Sequence, residues 1–147
     1  KDIFIQNWKS ELQNSTRAKC YVLLADFRLQ PYLDMIHVQK FRKSFTQLRV
    51  SSHRLEIEAV RWHKPSKIPF QDRKCQECNV IEDEFHFLFE CPLYYDIRKQ
   101  HIKQYYRRNY NIPKFIELLT SENKTVIKNL SMFIYKSFEL RNRRYLL

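Results

Sequence analysis

Apolar residues recur along most of this chain at helical spacing, with polar and basic residues on the intervening faces. Ile5, Trp8 and Leu12 predict an N-terminal helix over roughly residues 2–14. Residues 15–30 fit no single period, and Pro31 opens a second segment. Val38, Phe41, Phe45 and Leu48 predict a helix over about 35–50 whose other face carries Lys40, Lys43 and Gln47, flanked by Arg42 and Arg49. In HRLEIEAVRW, Leu55, Ile57 and Ala59 alternate with Glu56 and Glu58, a pattern open to a short strand or a helix. The two prolines of HKPSKIPFQDRK predict an irregular connection. LYYDIRKQHIKQYYRRNY predicts one continuous helix, apolar at Tyr94, Ile97, Ile102 and Tyr105, with a basic ridge of Lys99, Lys103 and Arg107 at i, i+4 and i+8. Pro113 suits the first turn of a short helix ending near Leu119. Ser121 is the expected N-cap of a last helix, with Glu122 in its first turn, a stripe of Ile127, Leu130, Ile134 and Phe138, and Arg141, Arg143 and Arg144 at its end.

Composition sharpens this picture. The 147 residues contain no glycine, so tight turns with positive φ fall to Asn or Asp. That excludes Gly-rich phosphate loops and dinucleotide folds and disfavours hairpin-rich sheets. The expected fold is mainly α: a small helical domain with a Cys/Cys/His/Cys zinc knuckle embedded in it and one short β-hairpin at the knuckle. It divides into a basic helical segment (1–74), the knuckle (75–92) and C-terminal helices (93–147), read together as one domain of a longer polyprotein. No apolar run reaches the ~18 residues of a membrane span. KDIFIQNWKSELQ is amphipathic and does not read as a signal peptide.

Charge points to the partner. Lys+Arg outnumber Asp+Glu by 27 to 16, for a net charge of +11, which favours a polyanion and nucleic acid first. The imbalance is patterned: residues 40–74 are strongly basic, residues 75–91 hold five acidic and no basic side chains, and residues 92–114 are basic again.

The acidic stretch, CQECNVIEDEFHFLFECP, carries the candidate chemistry. Three of the four cysteines lie in it, spaced Cys75-x2-Cys78-x7-His86-x4-Cys91. A C-x-x-C knuckle offers two thiolates, and His86 and Cys91 complete a tetrahedral zinc set. On an unbroken α-helix, residues five apart point about 140° away from each other. The helix bearing His86 is therefore expected to end before Cys91, helped by Pro92, while Phe85, Leu88 and Phe89 plug the knot into the core. A redox pair would need a βαβ setting that the pattern lacks, and a disulfide framework would suit a secreted chain. Four filled ligand positions leave none for a catalytic water, so the ion is expected to be structural. Cys20 is expected to be a small buried hydrophobe.

With these residues in view, LRVSSHRLEIEAVRW and CQECNVIEDEFHFLFECPLYYDIRK resemble the region downstream of the polymerase in non-LTR (LINE-type) retrotransposon proteins, and HFLFECP resembles the zinc-binding segment after plant-element reverse transcriptases. The resemblance runs from about Phe27 to Phe138. It implies the same four zinc ligands and an accessory module that grips template RNA or target DNA beside the rest of the reverse transcriptase polyprotein. Ala59-Val60 and Glu82 stand where the family pattern leads one to expect glycines, which puts turn geometry in question.

The functional expectation is a non-catalytic nucleic-acid-binding module, located in the nucleus and/or cytoplasm. Its phosphate contacts are expected from Arg42, Lys43, Arg49, Arg54, Arg61, Lys64, Lys67, Arg73 and Lys74, then Lys99, Lys103, Arg107 and Arg108, with Trp62 and Tyr106 as base-stacking aromatics. The alternative is a protein-interaction module bracing the polymerase or a host factor. No membrane or small-molecule substrate is expected. No catalytic residues are assigned: Asp26 has no acidic neighbour to pair with, and Ser44, Ser52, His53 and His63 carry no motif.

Overall fold

The computed structural model describes residues 2–14, 19–25, 30–58 and 68–145. Eight α-helices are built from these residues: α1 (Asp2–Asn14), α2 (Lys19–Leu24), α3 (Tyr32–Met35), α4 (Gln39–Arg49), α5 (Tyr95–His101), α6 (Gln104–Arg107), α7 (Ile112–Leu119) and α8 (Lys124–Tyr145). The protein is mainly helical, as its periodicity predicts. Among the described residues no sheet forms, and strand pairing is limited to one antiparallel bridge, Lys74 to Ile81, at the knuckle.

The long helix α8 is the spine, and α3, α4 and α5 pack along it. Its predicted stripe is the core: Ile127, Leu130 and Ile134 are fully buried, joined by Phe133, against Phe45 and Leu48 of α4. Its start lies later than the sequence suggests. The Asn123 side chain, not Ser121, accepts from the backbone N–H groups of Thr125 and Val126. Ser121 Oγ instead accepts from Asn123 N–H, ordering the turn before the helix. α7 is capped by Asn111, whose side chain accepts from Lys114 N–H, with Pro113 in the first turn as expected.

Two other expectations need correction. Residues 51–58 are neither strand nor helix: they form turns, with Leu55, Ile57 and Glu58 all buried. The continuous helix expected over residues 93–110 is broken. Ile102 (φ −110°, ψ 125°) and Lys103 (φ −57°, ψ 146°) leave the helical region between α5 and α6. The break buries both Ile102 and Tyr106 and turns Tyr105 outward, 55 % exposed. Arg107 Nε donates to the Ile102 carbonyl that the interrupted helix frees, at 2.8 Å. Lys99 and Lys103–Arg107 therefore lie on different elements, and the predicted ridge does not form.

With no glycine available, positive φ among the described residues falls to Asn79 and Asn109, as expected, and to Ser51, which is neither Asn nor Asp. Asn tolerates this region best among non-glycine residues.

Candidate metal centre

The knuckle begins at the Lys74–Ile81 bridge. Cys75 N–H donates to Val80 O at 2.7 Å and Asn79 N–H to Cys75 O at 2.9 Å. Asn79, at φ 56°, turns the chain between them. This brings Cys75 and Cys78 to one side of the loop.

His86 and Cys91 come from the next turn. Asp83 caps it by accepting the His86 N–H at 2.8 Å. The turn then widens into a π-helical stretch, His86–Glu90. In a π turn the hydrogen bond spans five residues, and Cys91 N–H indeed donates to His86 O at 3.0 Å. The wider turn rotates positions i and i+5 back toward each other. Cys91 itself is extended (φ −65°, ψ 123°), so the helix ends where the sequence required. The reconciliation of His86 with Cys91 thus has two parts, a wider turn and a helix stop, of which the sequence suggested only the second.

The result is a four-residue cluster. One donor atom from each of Cys75, Cys78, His86 and Cys91 lies within 4.8 Å of all the others. Cys91 Sγ is 3.8 Å from Cys75 Sγ and 3.9 Å from Cys78 Sγ. Thiolates bound tetrahedrally at about 2.3 Å from one ion stand about 3.8 Å apart, whereas a disulfide needs about 2.05 Å. Both ring nitrogens of buried His86 are without a hydrogen-bond partner, which a buried imidazole tolerates when a metal takes one of them. Glu90 Oε1 stands 3.7 Å from His86 Nδ1, beyond hydrogen-bond distance. Burial pushes the Cys91 and Cys78 thiols up, and neighbouring Cys75 raises both further. A bound dication reverses that balance by stabilising the thiolates. The donor set therefore fits a metal ion. Cys20 lies apart in the core, 6 % exposed, its thiol pushed up by burial.

The cluster is anchored by residues that the spacing did not single out. Arg98, 5 % exposed, donates to Leu88 O (2.7 Å), Phe87 O (3.1 Å) and Cys91 O (3.0 Å). One guanidinium thus satisfies the carbonyls that the ending π turn leaves open. Glu82 is buried and receives a fork from Arg141 of α8 at 2.7 and 3.2 Å, and its Oε1 also accepts from Glu56 N–H. Glu77 pairs with Arg144 and accepts from the Tyr145 hydroxyl at 2.8 Å. Glu84 accepts from Ser51 Oγ and lies 2.7 Å from His53 Nε2. Because His53 Nδ1 accepts the Leu55 N–H, Nε2 is the nitrogen that donates to Glu84. Both His53 nitrogens are thereby engaged. Phe87 drives into the core, within 5.6 Å of Phe133, 5.1 Å of Phe138 and 4.8 Å of Tyr94. Leu88 and Phe89 are buried as predicted, while Phe85 is half-buried.

The predicted phosphate contacts divide sharply. Lys43, Arg54, Lys74, Lys99, Lys103 and Arg108 are exposed. Arg49 is buried and bonded to Leu119 O and Gln30 Oε1, so it is a structural clamp. Arg42, Arg73 and Arg107 are half-buried and bond backbone carbonyls: Ile36, Ile68 and Ile57, and Ile102. Tyr106 is buried, 7 % exposed, and presents no free face for a base. Arg61, Trp62, Lys64 and Lys67, with Asp26 and His63, lie outside the described residues. Among the described residues, no helix is long and apolar enough to cross a membrane.

No family model matches the chain, and no curated protein or solved structure shows significant similarity to it.

Proposed function

We propose that this chain is a non-catalytic nucleic-acid-binding module whose fold is locked by one structural zinc ion, and that it serves as an accessory region of a LINE-type reverse transcriptase acting in the nucleus and/or cytoplasm. Three thiolates and one imidazole at tetrahedral spacing suit Zn²⁺ above other divalent ions. Four protein donors close the coordination shell, so the ion has a folding role.

One observation carries the binding role. Four of the five knuckle carboxylates are engaged within the protein: Glu77 by Arg144, Glu82 by Arg141, Asp83 by the His86 N–H and Glu84 by His53, while Glu90 is exposed. The acidic stretch is thus mostly drawn into internal contacts, while Lys40, Lys43, Lys74, Lys99, Lys103 and Arg108 remain exposed to phosphate.

The test is a titration of the zinc-loaded protein with single-stranded RNA, duplex DNA and a polypeptide containing the polymerase region, over a range of salt. Nucleic-acid affinity should fall linearly in log–log form, by roughly 0.7 per contacted phosphate for a single strand and 0.9 for a duplex. Salt-insensitive binding to the polypeptide, with none to nucleic acid, would transfer the assignment to a bracing module. That second reading has its own support in α1, where Ile3 is 75 % and Phe4 63 % exposed.

A further inference from the structure

A concavity lies between α4 and α8, on the side of α8 that carries Tyr135, Phe138 and Asn142. It encloses about 450 Å³, within the range of pockets that hold small organic groups. A smooth duplex backbone has no part that fills such a recess, whereas a single splayed nucleotide does.

The lining has three kinds of group. Lys40, Lys43 and Arg54 supply positive charge. Tyr135 and Phe138 supply aromatic surface, and Gln47 and Asn142 supply amides able to both donate and accept. Arg141 also borders the cleft, but its charge is already matched by Glu82. The cleft's own carboxylate, Glu139, accepts from the Tyr135 hydroxyl at 2.8 Å, which holds the phenol by its tip. Lys40 Nζ stands 5.1 Å from the Tyr135 ring centroid and 5.4 Å from that of Phe41. An ammonium poised over an aromatic wall offers a phosphate contact beside a surface on which a base can lie.

We propose that this cleft seats one unpaired nucleotide of a single strand, its base against Tyr135 and Phe138 and its flanking phosphates on Lys40 and Lys43. The inference rests on the nucleic-acid reading above and adds to it a site and a preference for unpaired strands. The duplex is the alternative occupant, and parent affinity for it equal to that for the single strand would overturn the preference.

The experiment compares the zinc-loaded protein with three variants: Tyr135→Leu, Tyr135→Trp and the pair Lys40→Ala/Lys43→Ala. Each is titrated with a uridine-rich RNA of about 12 nucleotides, within the span of common single-strand sites, with the matching duplex, and with heparin as a polyanion that has no bases. Tyr135→Leu should weaken RNA binding at least about fivefold, the lower end for loss of one stacked base, while leaving heparin affinity and the salt slope unchanged. Tyr135→Trp should keep or raise RNA affinity. The lysine pair should weaken both ligands and reduce the single-strand salt slope by roughly 1.4, for two contacts. RNA carrying 4-thiouracil should photocrosslink to peptides of α4 or α8, a readout independent of any variant's stability. Equal RNA affinity of Tyr135→Leu and parent, or crosslinks confined to other peptides, would overturn the cleft while leaving the nucleic-acid reading standing. A parent that binds no nucleic acid would overturn both.

Discussion

Arg98 sits in a stretch whose basic residues look like a solvent-facing ridge, yet it is the one turned inward. Its neighbour Lys99 stays exposed, so one position of helical phase separates a structural cation from a surface one. Its three carbonyl acceptors all belong to the segment that presents Cys91. Arg98→Ala should lower stability by about 2–4 kcal/mol, since charge-assisted bonds are lost and buried carbonyls are left open. Chemical denaturation with zinc present would measure it. Arg98→Lys should recover only part, because one ammonium cannot reproduce the planar fork. His101 makes a second residue-level prediction. Lys136 Nζ donates to its Nε2 at 3.0 Å, so the ring is neutral. Partial burial, then the Lys136 charge, holds its pKa below the ordinary histidine value. The unfolded chain therefore binds the proton more readily. This contribution to stability is intact above the ordinary pKa of about 6.5 and is lost as pH falls below it toward the folded value. His101→Gln should flatten the difference in denaturation midpoint between about pH 7.5 and about pH 5.5 relative to the parent. Parallel slopes in the two proteins would contradict this.

Among the elements, the π turn His86–Glu90 has the strongest consequence for the site. It solves a spacing problem that neither a continuous α-helix nor a loop solves as directly. It also exposes Phe87 to the core while His86 faces the knuckle. Phe87 is fully buried and contacts aromatic rings from α8 and from the turn after Cys91. Phe87→Ala should cost about 3–5 kcal/mol, as for large core aromatics. It should also weaken zinc retention, because the cavity sits directly behind the ligand-bearing turn. Competition against a chromogenic chelator would report the second effect. Unchanged zinc affinity in a folded Phe87→Ala protein would show that the turn holds its shape without the plug.

For the molecule as a whole, the knuckle is a fastener. Glu77 and Glu82 tie it to the C-terminal end of α8, and Glu84 ties it to the turns after α4. Metal binding and helix docking should therefore be one cooperative event. Protein purified without added zinc should contain about one ion per chain, matching the one such cluster among the described residues. Chelation, or Cys78→Ser, should cause a large loss of helicity by circular dichroism together with a lower melting temperature. Cys20→Ser, outside the cluster, should be mild in comparison. A metal-free parent with full helicity and cooperative melting would refute the coupling.

The sequence by itself determined the features that depend on local periodicity or on donor chemistry. The stripe of α8, the limits of α1 and α7, and the four-residue Cys/His cluster were all legible, because helix spacing and side-chain identity are written in neighbouring residues. The absence of glycine pointed to Asn or Asp at positive φ, which Asn79 and Asn109 follow and Ser51 does not. Tertiary structure alone decided which cations are structural. Arg49, Arg98 and Arg141 resemble Lys43 and Lys99 in one dimension, but a carbonyl and a carboxylate distant in sequence draw in Arg49 and Arg141, and the carbonyls of the folded-back π turn draw in Arg98. The same holds for Tyr105 and Tyr106, whose exposures are set by the break at Ile102. That break follows from packing Ile102 and Tyr106 into one core, a demand that long-range burial imposes and local helix propensity does not encode.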